Sequence, residues 1–314
     1  MAIKEATMLF IISPAKKMVD AADSFAWRDM PRFLPQTCEL LEAMRTLSYD
    51  EAKALWKCSD ALAELNYERV QSMDPACAAA CTPAAFSYEG IQYQNMAPQV
   101  MTQGQLDYLQ RHLRILSGFY GVLRPFDAVV PYRLEMQAKL AVGGARDLYG
   151  YWGSRLYEAL ADDLAQQGCG LGPTNGGGAP ASDCDKNEGC QADGLAADSG
   201  GVQPDAAGST GVPAPEEPVI VNLASVEYAK AVLSHAKAAA KAGSPVRVLT
   251  CLFGTLRAGK LVQRSTEAKA ARGTFVRWCA ENAIGRVEDI KRFDAAGYTF
   301  DQEVSTNDTF VFVK

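Results

Sequence analysis

At 314 residues and 48% hydrophobic content the chain can bury one large core or two modest ones, and it has no uninterrupted apolar run of about 18 residues to suggest a membrane span. Its nine cysteines follow no regular spacing and its two histidines are His112 and His235, which argues against a disulfide framework and leaves little for a zinc site. The formal net charge of -6 would argue against a polyanionic partner if it were spread evenly, and it is not.

In chain order, MAIKEATMLFIISPAKK has too short an apolar stretch, followed by Pro and Lys, for a secretory signal, so the expected compartment is the cytoplasm, with no membrane partner. MLFIIS (8–13) reads as a buried strand ending at Ser13-Pro14, because proline cannot donate to a ladder, and Lys16 therefore sits just past a strand end. Ser48 with Glu51 forms a capping box, Ser59 caps a helix through DALAELNYERVQS, and Thr102 with Gln105 caps a helix through LDYLQRHLRIL. LSGFYGVLRPFDAVVPYRLEM (116–136) is a shaped loop: Gly118 and Gly121 permit a turn or close backbone approach, while Pro125 and Pro131 forbid a continuous helix. Arg124 and Arg133 flank its short strand-like AVV. DLYGYWGSRLYEALADDLAQQ reads as one long helix.

Residues 168 to 218 hold 12 Gly and 6 Pro in 51 positions, with eight acids against Lys186. Such a segment has little apolar area to set against its ordering entropy, so an insert at about 168–217 is expected to be disordered and to interrupt a single domain spanning 1–314. Without its charge of -7, the remaining 30 basic and 29 acidic residues leave a net of +1, and an anionic partner stays open. PVIVNLAS (218–225) and PVRVLTCLF (245–253) are further buried, parallel-type strands, the first leading into a helix with Ser225 at its N-cap. STEAKAARGTFVRWCAENAI (265–284) reads as a helix interrupted at Gly273, and GYTF and TFVFV as short closing strands. This order of elements implies an α+β or mixed α/β body.

In open α/β sheets ligands sit beyond the carboxyl ends of the strands, where Lys16, Asn222, Ser225 and Tyr228 all fall. Lys269 and Arg272, three residues apart, add cations on one helix face. That set suits an anionic ligand. Each residue also has a structural alternative: a solvated face for Lys269 and Arg272, a buried amide for Asn222, and for Arg124 and Arg133 pairing with Glu135 or capping of carbonyls.

ISPAK (12–16), LSGFYGVLRPFDAVVPYRLEM, DLYGYWG (147–153), VNLASVEY (221–228) and AKAARG (268–273) together resemble the YaaA peroxide-stress family, in family order, from Met8 to about Phe312. The resemblance implies a single family-specific fold with a central sheet, surrounding helices, a basic cleft and a helix-hairpin-helix-like element. It also implies DNA binding without sequence reading, and protection against peroxide by limiting free-iron damage. Carried onto this chain, the cleft cations are Lys16, Arg124, Arg133, Lys269 and Arg272, supported by Ser13, Tyr132, Glu135, Asn222, Ser225 and Tyr228. The hairpin corresponds to 55–70, with Ser59, Asn66 and Arg69. Its turn, set at Ala63-Glu64-Leu65-Asn66, offers no glycine and places a negative charge where phosphate would approach.

Tyr120, Tyr132, Tyr149 and Trp152 are candidates for stacking unpaired bases or, equally, for the core. The competing class is an enzyme acting on a small phosphate- or carboxylate-bearing substrate, using Lys16, Glu135, Asn222, Ser225 and Tyr228. No triad, P-loop or dinucleotide fingerprint names a reaction, and no cofactor or metal is expected. Cys77, Cys81, Cys184 and Cys190 read as free thiols, too few for an iron cluster. A narrow pocket with Glu135 at hydrogen-bond distance from Lys16 would favour the enzyme, and a long open groove would favour DNA.

Overall fold

The computed structural model describes residues 7–21, 25–168 and 217–314, so the expectations for the insert, including Cys184 and Cys190, lie outside the described residues. The strands are β1 (Met8–Ile12), β2 (Lys17–Met18), β3 (Thr82–Pro83), β4 (Tyr88–Glu89), β5 (Leu113–Ser117), β6 (Gly121–Leu123), β7 (Ala128–Val129), β8 (Val219–Asn222), β9 (Arg247–Arg257), β10 (Lys260–Val262), β11 (Thr299–Thr306) and β12 (Thr309–Val313). The α-helices are α1 (Leu34–Arg45), α2 (Tyr49–Trp56), α3 (Asp60–Ser72), α4 (Ala84–Ser87), α5 (Ile91–Met96), α6 (Gln103–His112), α7 (Leu148–Trp152), α8 (Arg155–Gly168), α9 (Val226–Lys241) and α10 (Ser265–Glu281).

The central sheet runs β11-β12-β9-β8-β1-β5-β6, with β10 returning on β9. The four inner pairings are parallel; β6 and β11 close the edges in antiparallel sense. Every residue of β1 is fully buried, as a strand covered on both faces requires. Phe10 meets Phe275 of α10 edge-on at 6.1 Å between ring centroids, so Leu9 and Ile11 face the other way. Arg114 is in register with Ile11 and reaches Asp163 of α8, which places α8 on the face opposite α10. The architecture is thus a mixed α/β one, a mostly parallel sheet between helical layers.

Both predicted capping boxes form, at Ser48/Glu51 and Thr102/Gln105. Four local readings are corrected. The helix capped by Thr102 ends at His112, and LRILS continues as β5, because this apolar run pairs with β1 in the sheet interior. DLYGYWGSRLYEALADDLAQQ is two helices, parted at Gly153, whose φ of 50° and ψ of -134° suit glycine. Gly273 does not interrupt α10; it lets α5 approach, since a Cβ there would stand 2.0 Å from the Gln92 carbonyl oxygen. Residues 63–66 lie inside α3, and the turn between α2 and α3 falls at Lys57–Ser59, with Lys57 left-handed at φ 47°.

Asp127, just before β7, is 3% exposed and accepts the Arg124 backbone N–H at 2.8 Å. Burial pushes its carboxyl up to about 7, against that N–H and the charges of Arg124 and Arg114. A folded-state value above the unfolded one, near 4, contributes stability at low pH that is lost as pH rises through about 7, on the order of 4 kcal/mol. Asp127→Asn is therefore expected to flatten the decline in urea midpoint between about pH 5 and about pH 8. A decline as steep as in the parent chain would show that Asp127 does not drive it.

Candidate functional site: a cationic cleft at the sheet edge

β1 and β8 run parallel with Ile11 beside Asn222, so both chains leave the sheet at one edge. Their exits are tied together: the Ser225 N–H donates to Ser13 Oγ at 2.8 Å, the Ser13 hydroxyl donates to Ser225 Oγ at 3.1 Å, and the Tyr93 hydroxyl donates to the Ser13 carbonyl at 3.0 Å. Another wall is the end of 116–136, seated by Gly118, where a Cβ would stand 2.6 Å from the Leu134 carbonyl oxygen. The last wall is α10, carrying Lys269 and Arg272 on one face. The cleft is partly open and its volume is about 570 Å³, within the ~300–1,000 Å³ of small-molecule sites.

The charges inside are unevenly satisfied. Glu135 Oε1 takes both Lys16 Nζ at 2.9 Å and Arg133 Nη2 at 3.4 Å. Arg133 Nη2 also reaches the Trp56 carbonyl at 3.5 Å, yet its Nε is buried without a partner. Arg272 Nε is likewise buried and unpartnered, and burial with no opposing carboxylate pushes the guanidinium below its usual value. Gln92 Nε2, on a side chain 7% exposed, is the third such donor on this cavity. Arg133, Arg272 and Gln92, each with a buried N–H that lacks an acceptor, thus line one space, a set of side chains that suits an oxyanion. The wall also holds one unpaired acid, Glu227: its Oε1 accepts the Gln137 N–H at 3.2 Å, and among the described residues no cation stands within ion-pair distance. Burial pushes its carboxyl up and the Glu135 charge adds to this, against the Gln137 N–H and Lys16.

Of the residues expected from sequence, Lys16, Arg133, Lys269 and Arg272 line this cavity together with Ser13, Tyr132, Glu135, Ser225 and Tyr228. Arg124 does not: its Nη2 pairs with Asp163 at 3.2 Å, in a buried cluster with Arg114. Asn222 is a buried amide, donating to Thr250 Oγ1 at 3.3 Å and accepting the Ala224 N–H at 3.0 Å. Ser59, Asn66 and Arg69 lie on or next to α3, away from the cavity, and Asn66 donates within the helix to the Leu62 carbonyl at 2.6 Å. α3 opens with Asp60, paired with Lys53, so its N-terminus already has an anion. Tyr120 and Trp152 are fully buried, and Tyr132 is held between Ser117 and Tyr88, which leaves those rings to the core. Tyr149 donates its hydroxyl to the Glu227 carbonyl at 2.9 Å.

Lys17, Glu89, Gln92 and Glu227 also line the cavity and are missed by sequence reasoning. Glu227 has a signal, an acid in the first turn after the Ser225 N-cap; Gln92 has none, since only the α5–α10 contact brings it here. Among the described residues no helix is long and apolar enough to cross a membrane, and no group of three or more His, Cys, Asp or Glu could hold a metal ion.

Fold and site together define a mixed α/β protein with a cavity at the carboxyl edge of a mostly parallel sheet, lined by five basic and three acidic side chains. The family model described as peroxide stress protein YaaA matches residues 8–171 and 208–304, and the chain belongs to that family. It is 40% identical over 307 residues to a UPF0246 protein of Pediococcus pentosaceus, covering 98% of each chain. It is 41% identical over 306 residues to one of Lactiplantibacillus plantarum, covering 98% of this chain and 99% of that protein.

Proposed function

We propose that the cleft binds a compact phosphate- or carboxylate-bearing ligand, and that this member of a peroxide-stress family acts through what it holds there, as an enzyme on that ligand. Arg272 carries the reading: a half-buried guanidinium whose buried Nε has no acceptor and which has no counter-ion among the described residues is favoured by an anion that completes it. The volume of about 570 Å³ and the 2.9 Å contact between Lys16 and Glu135 support a small ligand over a long groove.

DNA binding is the second reading, favoured by one observation: the Lys16 side chain is 67% exposed at the mouth, within reach of a backbone outside. Limiting of free-iron damage is then a consequence of what the cleft holds, whether nucleic acid or small anion.

Calorimetry with inorganic phosphate and pyrophosphate, beside anisotropy with duplex, single-stranded and junction DNA over a salt series, separates the two. Arg272→Ala is expected to weaken phosphate or pyrophosphate binding by about tenfold or more. The DNA reading requires that Lys16→Ala, Arg133→Ala and Arg272→Ala each flatten the salt slope by about one unit. Phosphate binding indifferent to Arg272→Ala would remove the small-anion reading.

A further inference from the structure

Resting on the small-anion reading, we infer that the cleft takes a zwitterionic ligand, one that carries a primary amine as well as its phosphate or carboxylate. The cavity contains two partly desolvated charges of opposite sign that do not pair with each other. Arg272 has no carboxylate partner and Glu227 has no cation partner among the described residues, although both line the same wall-to-wall space. Glu135 is different, since Lys16 and Arg133 already share its Oε1.

A purely anionic ligand would offer Arg272, Arg133 and Gln92 a counter-charge and leave Glu227 facing a second negative charge in a half-buried site. A ligand with an ammonium group a few bonds from its acid would satisfy both ends at once. The aromatic walls agree: Tyr93, Tyr132 and Tyr228 are buried at 3%, 5% and 7% exposure, presenting little ring face for a nucleobase. The space therefore favours an amino-acid-like or aminoalkyl-phosphate compound over a nucleotide.

The test compares near-isosteric probes differing in the amine, O-phosphoserine against 3-phosphoglycerate and glutamate against 2-hydroxyglutarate, by calorimetry on the full chain. For at least one pair the amine-bearing probe is expected to bind about tenfold or more tightly, the scale of a charge-assisted hydrogen bond. Glu227→Gln is expected to erase that preference, weakening the amine-bearing probe and, with the like charge gone, leaving the hydroxyl analogue bound at least as tightly as before, and Arg272→Ala to weaken both members of the pair. Equal binding of both members overturns the inference and leaves the anion site standing. An amine preference unchanged in Glu227→Gln also overturns it, because another group then reads the amine. No binding of any probe, phosphate and pyrophosphate included, overturns the anion reading itself.

Discussion

Asp163→Ala is expected to destabilise the chain by ~3–5 kcal/mol, the largest effect we foresee for a single side chain. Asp163 Oδ2 accepts Arg114 Nε at 2.5 Å, and Oδ1 faces Arg124 at 3.2 Å and Arg32 at 3.8 Å. Arg114 and Asp163 are 4% and 7% exposed, so removing the carboxylate leaves a guanidinium inside the fold hydrogen-bonded only to main-chain carbonyls. Burial raises the Asp163 carboxyl, but Arg114 and then Arg124 outweigh it and hold the value below the usual range. The sign follows: this stability is present above the unfolded carboxylate value, near 4, and is lost as pH falls through the lower folded one. Asp162→Ala is the control, since its exposed pairing with Arg32 is worth no more than ~1 kcal/mol. Chemical denaturation of both variants decides it: an Asp163→Ala midpoint as high as that of Asp162→Ala would show the buried cluster to be dispensable.

Gly273→Ala is expected to be the next most damaging change and to reach the cleft as well. In an exposed helix alanine would gain about 1 kcal/mol over glycine. Here the new methyl group would stand 2.0 Å from the Gln92 carbonyl oxygen and 2.9 Å from the Met96 nitrogen, both backbone atoms that no rotamer change can clear. Overpacking against fixed backbone costs about 3 kcal/mol or more, so steric exclusion wins over propensity by about 2 kcal/mol. Because Arg272 adjoins the contact on α10 and Gln92 supplies it from α5, parting the two helices separates two of the cleft's unpartnered donors. The variant is therefore expected to lose affinity for inorganic phosphate under conditions where circular dichroism still reports a folded chain. A melting temperature and phosphate affinity equal to those of the parent would sink this account.

The opposite roles of two glycines mark the border of what local sequence conveys. Gly153 and Gly273 both sit within helix-forming runs; the first ends a helix with a positive φ, the second is helical and exists for the sake of a neighbour. The caps at Ser48 and Thr102, the strand at 8–12 and the exits at Ser13 and Ser225 were legible because each is written within a few residues, as a side-chain-to-backbone hydrogen bond or an apolar run cut by proline or serine. The motifs also conveyed family membership, since they recur in order along the whole chain.

Arg124 and Arg133 show the other side. Nine positions apart in one stretch, they look equivalent, yet one is drawn to Asp163 on α8 and the other to Glu135 on the cavity wall. LRILS became a strand because β1 lay beside it, with no breaker in its own residues. The cleft itself depends on Ser13 meeting Ser225 across 212 residues and on α10 settling against α5. Periodicity, capping and turn chemistry act over a few residues and can be read from them; which charge is left unpaired, and which backbone comes within van der Waals contact, depends on chain segments far apart in sequence, and only the tertiary structure decided it.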